Sequence, residues 1–282
     1  LYNAEMTELI TCPKAKEGVV VLPATLGKIA ANAFYECKSV TAIDFTASTS
    51  LEEIGDKAFY WCNKLESVSL PDSVQKIGYQ VFGQCQGMTS LKLPASMTEF
   101  DRETILDCMS LTSLTINEGT NYKTVDGVLF TADGKTLVYY LKTLPGTSYT
   151  VPEGVETIAE FAFNSNPNLT ALVLPASLTR LEKSALNGCT NLSDVTFTPG
   201  DKPLVIGATA FSNTGLSSFA VPARVVSIDE GAFYGVGLTT LTFEADSKLG
   251  YIGEYAFYST SLTSLDLPAS LRDLGDLAFA RC

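Results

Sequence analysis

The sequence predicts an α/β solenoid that is right-handed and strand-rich, with a parallel β-sheet on one face, short helical or 3-10 return segments and one β-hairpin insertion. Three observations predict it: a recurring phrase, a constant period and a proline that always stands at the same point. "LPDSVQKIGYQVFGQC" at 70–85 returns as "LPASLRDLGDLAFARC" at 267–282. Aligned on the aromatic of "AF", the copies carry Phe34, Phe59, Phe82, Ile105, Phe163, Leu186, Phe211, Phe233, Phe257 and Phe279. Successive copies lie 22 to 25 residues apart, apart from one step of 58. A period near 23 is that of leucine-rich repeats, in which one strand and a short return make each coil. One coil buries too little to offset the ordering of its own backbone, so coils must stack on their neighbours.

The elements of a coil follow in order. Val68, Ser69 and Leu70 alternate with apolar residues to one side, so "SVSL" reads as a short strand. Pro71 ends it, because proline has no N–H to give a ladder; the same stop recurs at Pro23, Pro94, Pro152, Pro175, Pro222 and Pro268. Val74 and Ile77 then turn inward, and "AFxxC" has room for one helical turn or a 3-10 segment. Glycine follows the isoleucine position at Gly55, Gly78, Gly207, Gly253 and Gly275, but Ala30, Asp101, Ala159, Glu182 and Asp229 stand there elsewhere. The position therefore needs no positive φ, and its glycines reflect turn packing rather than a ligand cradle.

This reading makes residues 1–282 one solenoid. A partial hairpin-type segment occupies 1–18, a first repeat block 19–116, a β-hairpin insertion 117–148 and a second block 149–282, truncated in its last repeat. In the insertion, "TVDGVLFTADGKTLVYY" shows two apolar runs around the turn signal Asp133-Gly134. Residues 1–22 resemble 129–151, with Leu9 matching Leu137 and Gly18 matching Gly146. Neither end carries a capping sequence, which leads us to expect a piece of a longer array. The start, "LYNAEMTELI", lacks the basic and apolar regions of a signal peptide, so any targeting segment is expected upstream of Leu1.

Composition narrows the function classes. With 46% hydrophobic and 18% charged residues the chain is expected to fold. Its net charge of -12 makes nucleic acid and anionic membranes poor partners. No apolar run reaches the roughly 18 to 20 residues that cross a bilayer. There is no histidine, which excludes Ser-His-Asp and Cys-His nucleophile activation and histidine metal sites. Acid pairs such as Glu52 with Glu53, or Asp101 with Glu103, leave a two-carboxylate glycosidase as the enzymatic alternative; scattered acids are otherwise surface charge. No catalytic site, metal or cofactor is expected, and the turns "TADGKT" and "FEADSK" lack the alternating acids of a calcium loop. Of seven cysteines, Cys37, Cys62, Cys85, Cys108, Cys189 and Cys282 share one repeat position. They read as a buried column of small apolar side chains, with an isolated bridge between neighbouring coils as the alternative.

The repeated phrase resembles one family, the BspA-like leucine-rich-repeat proteins, a bacterial cell-surface group whose units read LxxIxLPxxVxxIGxxAFxxC. Residues 65–85, 169–186 and 262–282 match that phrase, and the resemblance covers the whole chain. "FDRETILDC" at 100–108 departs from it, lacking both Gly and AF, while Asn166, Thr214, Val236 and Thr260 stand where Cys is expected. The resemblance implies a surface-exposed or secreted binding protein, used in adhesion or in recognising an extracellular, host or matrix protein.

Two surfaces qualify as binding sites. Outward residues of the strands form a concave-face ladder: Ser67, Ser69, Ser90, Lys92, Ser113 and Thr115, flanked by Ala42 and Asp44 and continued by Ala171/Val173, Asp194/Thr196, Ser218/Ala220, Thr240/Thr242 and Ser264/Asp266. Small hydroxyls there suit a protein or extended ligand and equally suit any exposed strand. The second surface is the aromatic position after the buried phenylalanine: Tyr35, Tyr60 with Trp61, Tyr234 and Tyr258. These rings are suited to stacking on glycans or anchoring a protein, or else to covering the neighbouring coil. A spacer that displays other domains is the remaining alternative.

Overall fold

The computed structural model describes residues 1–117, 119 and 121–282, and the expected insertion at 117–148 spans the two positions outside that set. The chain forms two compact units, Leu1–Ala132 and Asp133–Cys282. In the first, strands Gly18–Val21, Val40–Asp44, Ser67–Ser69, Ser90–Leu93 and Ser113–Ile116 form a front sheet, parallel and in chain order. Behind it, Glu8–Leu9, Lys28–Ile29, Glu53–Ile54 and Lys76–Ile77 make a second parallel ladder.

The second unit repeats the scheme. Its back ladder joins Thr136–Tyr140, Thr157–Ile158, Arg180–Leu181, Leu204–Ile206, Val225–Ile228, Tyr251–Ile252 and Asp273–Leu274, each parallel to the next. Its front is divided, with Ser148–Thr150, Ala171–Leu174 and Asp194–Phe197 in one sheet and Ser218–Val221 with Thr240–Phe243 in another. The expected sheet on one face thus has a counterpart behind it, built from the "KI", "EI" and "RL" dipeptides. The strand expected around Ser264 and Asp266 is not formed; residues 261–268 have no regular secondary structure and join no ladder among the described residues.

Each proline after a front strand opens a β-turn, its carbonyl accepting from the amide three residues on: Pro23 from Leu26, Pro71 from Val74, Pro94 from Met97 and Pro175 from Leu178, at 3.1 to 3.2 Å. Past the back strand lies the main correction. Among the described residues the returns are not helical, except Arg102–Ile105, a 3-10 turn capped by the Asp101 carboxylate in the copy that reads "TI" in place of "AF". Elsewhere each return is a run of overlapping β-turns with left-handed residues two before and two after the central side chain. Asn32 and Glu36 flank Phe34, Lys57 and Trp61 flank Phe59, Tyr255 and Ser259 flank Phe257, all with φ between 52° and 61°.

The reason is where the amides point. A helix would turn every N–H into its own segment, whereas here alternate amides cross to the next coil. Asn32, Phe34 and Glu36 donate to Asp56, Ala58 and Tyr60 at 2.9, 2.7 and 2.9 Å; Ala33, Tyr35 and Cys37 close local turns on Ala30, Asn32 and Phe34 at 3.2, 3.0 and 2.9 Å. Left-handed geometry costs a non-glycine residue roughly 1–2 kcal/mol, and the cross-coil bonds satisfy otherwise buried amides in return. The same pattern recurs in the second unit, where Gly188, Gly231 and Gly235 take the left-handed positions.

Inside this frame the "AF" rings form columns. Phe34, Phe59 and Phe82 stack at 4.8 and 5.3 Å; Phe211, Phe233, Phe257 and Phe279 stack at 5.1, 5.0 and 5.1 Å. Glycines after the isoleucine do have ordinary φ, as the sequence implies. A Cβ at Gly55, Gly78 or Gly253 would lie 2.5 Å from the backbone nitrogen of Ala31, Asp56 or Glu230 in the coil before.

An antiparallel hairpin is present, but it turns earlier than the sequence suggests. Tyr122–Val125 pairs with Val128–Thr131 across Asp126-Gly127, whose φ values of 50° and 78° fit a type I′ turn. At Asp133-Gly134 the carboxylate of Asp133 accepts from the Lys135 amide at 3.0 Å, a local turn.

All seven cysteines are free thiols. Cys62, Cys85 and Cys108 donate to the carbonyls of Phe34, Phe59 and Phe82, and Cys189 to that of Phe163, at 3.0 to 3.2 Å. Burial pushes the Cys189 thiol from 9.0 up to about 11 and that of Cys108 up to about 12. The unfolded chain therefore loses these protons first, so the thiols' contribution is complete below pH 9 and fades as pH rises through the folded values. Urea titrations should show the stability advantage of the native chain over Cys189→Ala shrinking between pH 9 and about pH 11; a gap that stays constant over that window would contradict the assignment.

Candidate functional site

Strand alternation sends one set of side chains inward and the next to solvent. In the first unit Val68, Leu91 and Leu114 are buried, and between them the outward residues align across the ladder. Ser67 pairs with Ser90 and Ser90 with Ser113; Ser69 pairs with Lys92 and Lys92 with Thr115. Ser67, Ser69, Lys92 and Thr115 are exposed, Ser90 and Ser113 half-buried. All six predicted face residues thus fall on two adjacent columns. Ala42 aligns with Ser67. At one margin a groove of about 450 Å³ is lined by Asp44, Thr46, Ser67, Ser69, Asp72 and Asn117.

The acids of this groove are fixed. Asp72 accepts from the Ala95 amide at 2.8 Å and the Asn117 amide group at 2.7 Å, which together hold its carboxyl below the usual range. Asp44 accepts from the Thr46 hydroxyl and, at 2.9 Å, from the Thr46 amide, with the same effect. In the second unit Ala171 aligns with Asp194 and Val173 with Thr196, while Ser218 aligns with Thr240 and Ala220 with Thr242. A groove of about 750 Å³ runs between Thr240, Thr242 and Glu244 on one side and Ser264, Asp266 and Ser270 on the other.

The aromatic positions behave differently. Tyr35 stacks on Tyr60 at 5.8 Å, with Trp61 tilted against both, at 5.9 and 5.3 Å. Lys14, Lys57 and Lys38 lie over Tyr35, Tyr60 and Trp61 at 5.7, 5.6 and 5.9 Å. Tyr234 stacks on Tyr258 at 5.1 Å, and Arg281 covers Tyr258 at 5.5 Å. Of the five predicted aromatics only Tyr234 is classed as exposed, at 42%; the rest are half-buried along the return. Their faces are largely occupied by each other and by cations, which suits a cover over neighbouring coils.

Three features escape sequence reasoning. Val19 and Val21, 54% and 66% exposed, align with Ala42 and Asp44 and extend the two front columns with apolar residues. Along the back ladder Glu8, Lys28, Glu53 and Lys76 alternate in sign, with contacts of 3.9, 3.6 and 3.2 Å that add little at such exposure. Arg224 replaces a column of serines, of which Ser177 and Ser270 donate to Val155 and Leu249 carbonyls at 2.8 Å. It is buried, and its guanidinium donates to the carbonyls of Leu178, Pro175 at 3.2 Å and Lys202 at 3.3 Å. Among the described residues no cluster of acids and cysteines could hold a metal ion, and no helix is long and apolar enough to cross a membrane.

Stacked parallel strands with almost no helix, carrying open sheet faces in place of an enclosed cleft, define a repeat protein of the leucine-rich class. The chain belongs to the BspA-type leucine-rich-repeat family, whose repeat region matches residues 12–133, 141–202 and 204–282 in six copies. Among solved structures it is similar to the pneumococcal vaccine antigen PcpA, with a TM-score of 0.58 at 20% identity over 95% of this chain and 79% of that one. A leucine-rich repeat protein from Bacteroides ovatus gives 0.57 at 21% identity over 94% of this chain and 76% of that one. One from Eubacterium ventriosum gives 0.56 at 15% identity, covering 95% and 89%. These likenesses are likenesses of fold. No curated protein matches.

Proposed function

We propose that this chain is a non-catalytic binding module of a bacterial surface or secreted protein, and that the front face of its first unit grips an extended segment of an extracellular protein. The observation that carries the reading is the pair of in-register columns, Ser67–Ser90–Ser113 and Ser69–Lys92–Thr115, on an open parallel sheet. Hydroxyls and one ammonium at a spacing of about 4.8 Å offer a repeated set of donors and acceptors to a chain laid across them. The fixed carboxylates of Asp44 and Asp72 at the margin add a charge preference for basic residues. Family membership and the fold shared with a vaccine antigen support a surface setting. We also take the winding to be right-handed, as parallel strands joined by crossovers nearly always are.

The glycan alternative has less support, because sugar stacking needs a free ring face and most of the predicted rings are covered. The test is a binding screen against matrix proteins and a glycan panel, followed by Ser67→Lys, Ser90→Lys and Ser113→Lys, whose bulk and positive charge oppose a basic segment. Each should weaken a protein hit by roughly tenfold, about 1.4 kcal/mol, with unchanged thermal stability. A protein hit untouched by all three would move the site off this face. A glycan hit abolished by Tyr234→Ala would restore the aromatic reading.

A further inference from the structure

The cysteine column has an exceptional member at its foot. Cys62 and Cys85 commit their S–H groups to aromatic carbonyls one coil back and are wholly buried. Cys37 has no such aromatic behind it, because residues 1–17 contain no "AF". Its sulfur makes long contacts, 3.7 Å to the carbonyl oxygen of Cys12 and 3.8 Å to that of Pro13. The backbones touch as well, the Cys12 amide donating to the Ala33 carbonyl at 2.6 Å. Cys12 thus holds the place that the aromatic holds in later coils, where the Phe34 amide donates to the Ala58 carbonyl, and the Cys37 sulfur lies directly against Cys12 itself. Cys12 is half-buried, so a small reagent reaches it, whereas Cys62, Cys85, Cys108 and Cys189 are sealed and Cys282, at the far end, is exposed.

We propose that Cys12 and Cys37 form a redox crosslinking site, closed by a small-molecule disulfide, that ties the segment before Cys12 to the first full coil. The Cys12 sulfur attacks one sulfur of the oxidant; the oxidant's S–S bond breaks, and its first thiol leaves with the Cys12 proton. The Cys37 sulfur then attacks Cys12, expelling the second thiol with the Cys37 proton. One disulfide is reduced to two thiols as the two protein thiols are oxidised. Cys12 leads because it is the more accessible sulfur; burial raises its thiol's pKa, and the positive charges of the N-terminus and Lys16 offset part of that rise.

The test is incubation of the full-length chain carrying Cys282→Ser, which removes the exposed terminal thiol, with oxidised glutathione at neutral pH, acid quenching, thiol counting in denaturant and a non-reducing peptide map. The expected result is a fall from six free thiols to four, with one peptide pair carrying Cys12 joined to Cys37 and lighter by two hydrogens. Adding Cys12→Ser should leave all five remaining thiols free, and adding Cys85→Ser should still allow the crosslink. Retention of all six thiols, glutathione that stays on Cys12 unresolved, or a bond joining Cys37 to Cys62 would each overturn the proposal.

Discussion

Replacing Phe233 with alanine is expected to destabilise the second unit by about 3–5 kcal/mol, the range for truncating a buried phenylalanine. Phe233 is fully buried between Phe211 and Phe257, with ring centroids at 5.1 and 5.0 Å, and meets Phe219 at 4.8 Å. The cavity opens on three rings at once, and each of them is held by hydrogen bonds that run from coil to coil. Phe211 and Phe233 donate their amides to Ala232 and Ala256 at 2.8 and 2.7 Å, which leaves little freedom to collapse inward. Urea unfolding followed by near-ultraviolet dichroism should show the loss, whereas Tyr234→Ala next door, at an exposed ring, should change stability by less than about 1 kcal/mol. Equal effects from the two would mean that the column is not what holds this unit together.

The second large effect is expected where a single methyl group has nowhere to go. In Gly253→Ala the new carbon would stand 2.5 Å from the Glu230 nitrogen and 2.6 Å from the Asp229 carbonyl carbon, both backbone atoms of the preceding coil. Relief requires the coils to separate, which breaks the cross-coil bonds on either side; overpacking of this kind costs about 1–3 kcal/mol, and backbone obstacles put it at the upper end. Gly250 provides the contrast, because its added carbon would meet nothing nearer than the Val226 oxygen at 3.9 Å. Gly250→Ala should be neutral or stabilising by up to about 1 kcal/mol through the unfolded chain. A Gly250→Ala variant as unstable as Gly253→Ala would show that loss of glycine flexibility, not coil spacing, sets the effect.

Much of this architecture is legible in the sequence because its signals are side-chain signals. Period-two patterning around Val68 and Leu91 places the serine columns correctly, proline at 71 and 94 marks the turns, and the "AF" spacing locates the ring stack. The returns were hidden because left-handed backbone is here imposed by neighbours rather than by residue type. Trp61, Phe161 and Leu277 adopt it as readily as Gly235 or Asn213. A faint signal exists, since Asn32, Asp107, Gly188, Gly231 and Gly235 cluster two residues either side of the central position, but it competes with the apolar pattern of a helical turn.

The back ladder was missed for another reason. Its strands are mostly two residues long, too short to display any alternation. Alignment on the aromatic also concealed Cys12, which takes the place of the phenylalanine ahead of Phe34 in a segment with no aromatic to align, and Val19 and Val21, which continue the front columns in a strand the pattern reads as merely apolar. The six face residues were found because they alternate with buried ones; that they bind anything is a chemical question, which periodicity does not address.

The division of the second unit's front sheet has a mechanical consequence. Between the coils of Asp194–Phe197 and Ser218–Val221 the front carries no ladder, and Phe197 meets Phe219 edge-on at 6.0 Å across the gap. The back pairs of Leu204–Ile206 with Val225–Ile228 and the return bonds from Thr209, Phe211 and Asn213 remain. Tension along the stack is therefore borne at this junction by two straps instead of three, and Arg224, bolted to Pro175, Leu178 and Lys202, acts as a rivet beside the missing one. Bending strain should concentrate there, giving the unit a compliant joint that opens toward the front while its back stays fastened.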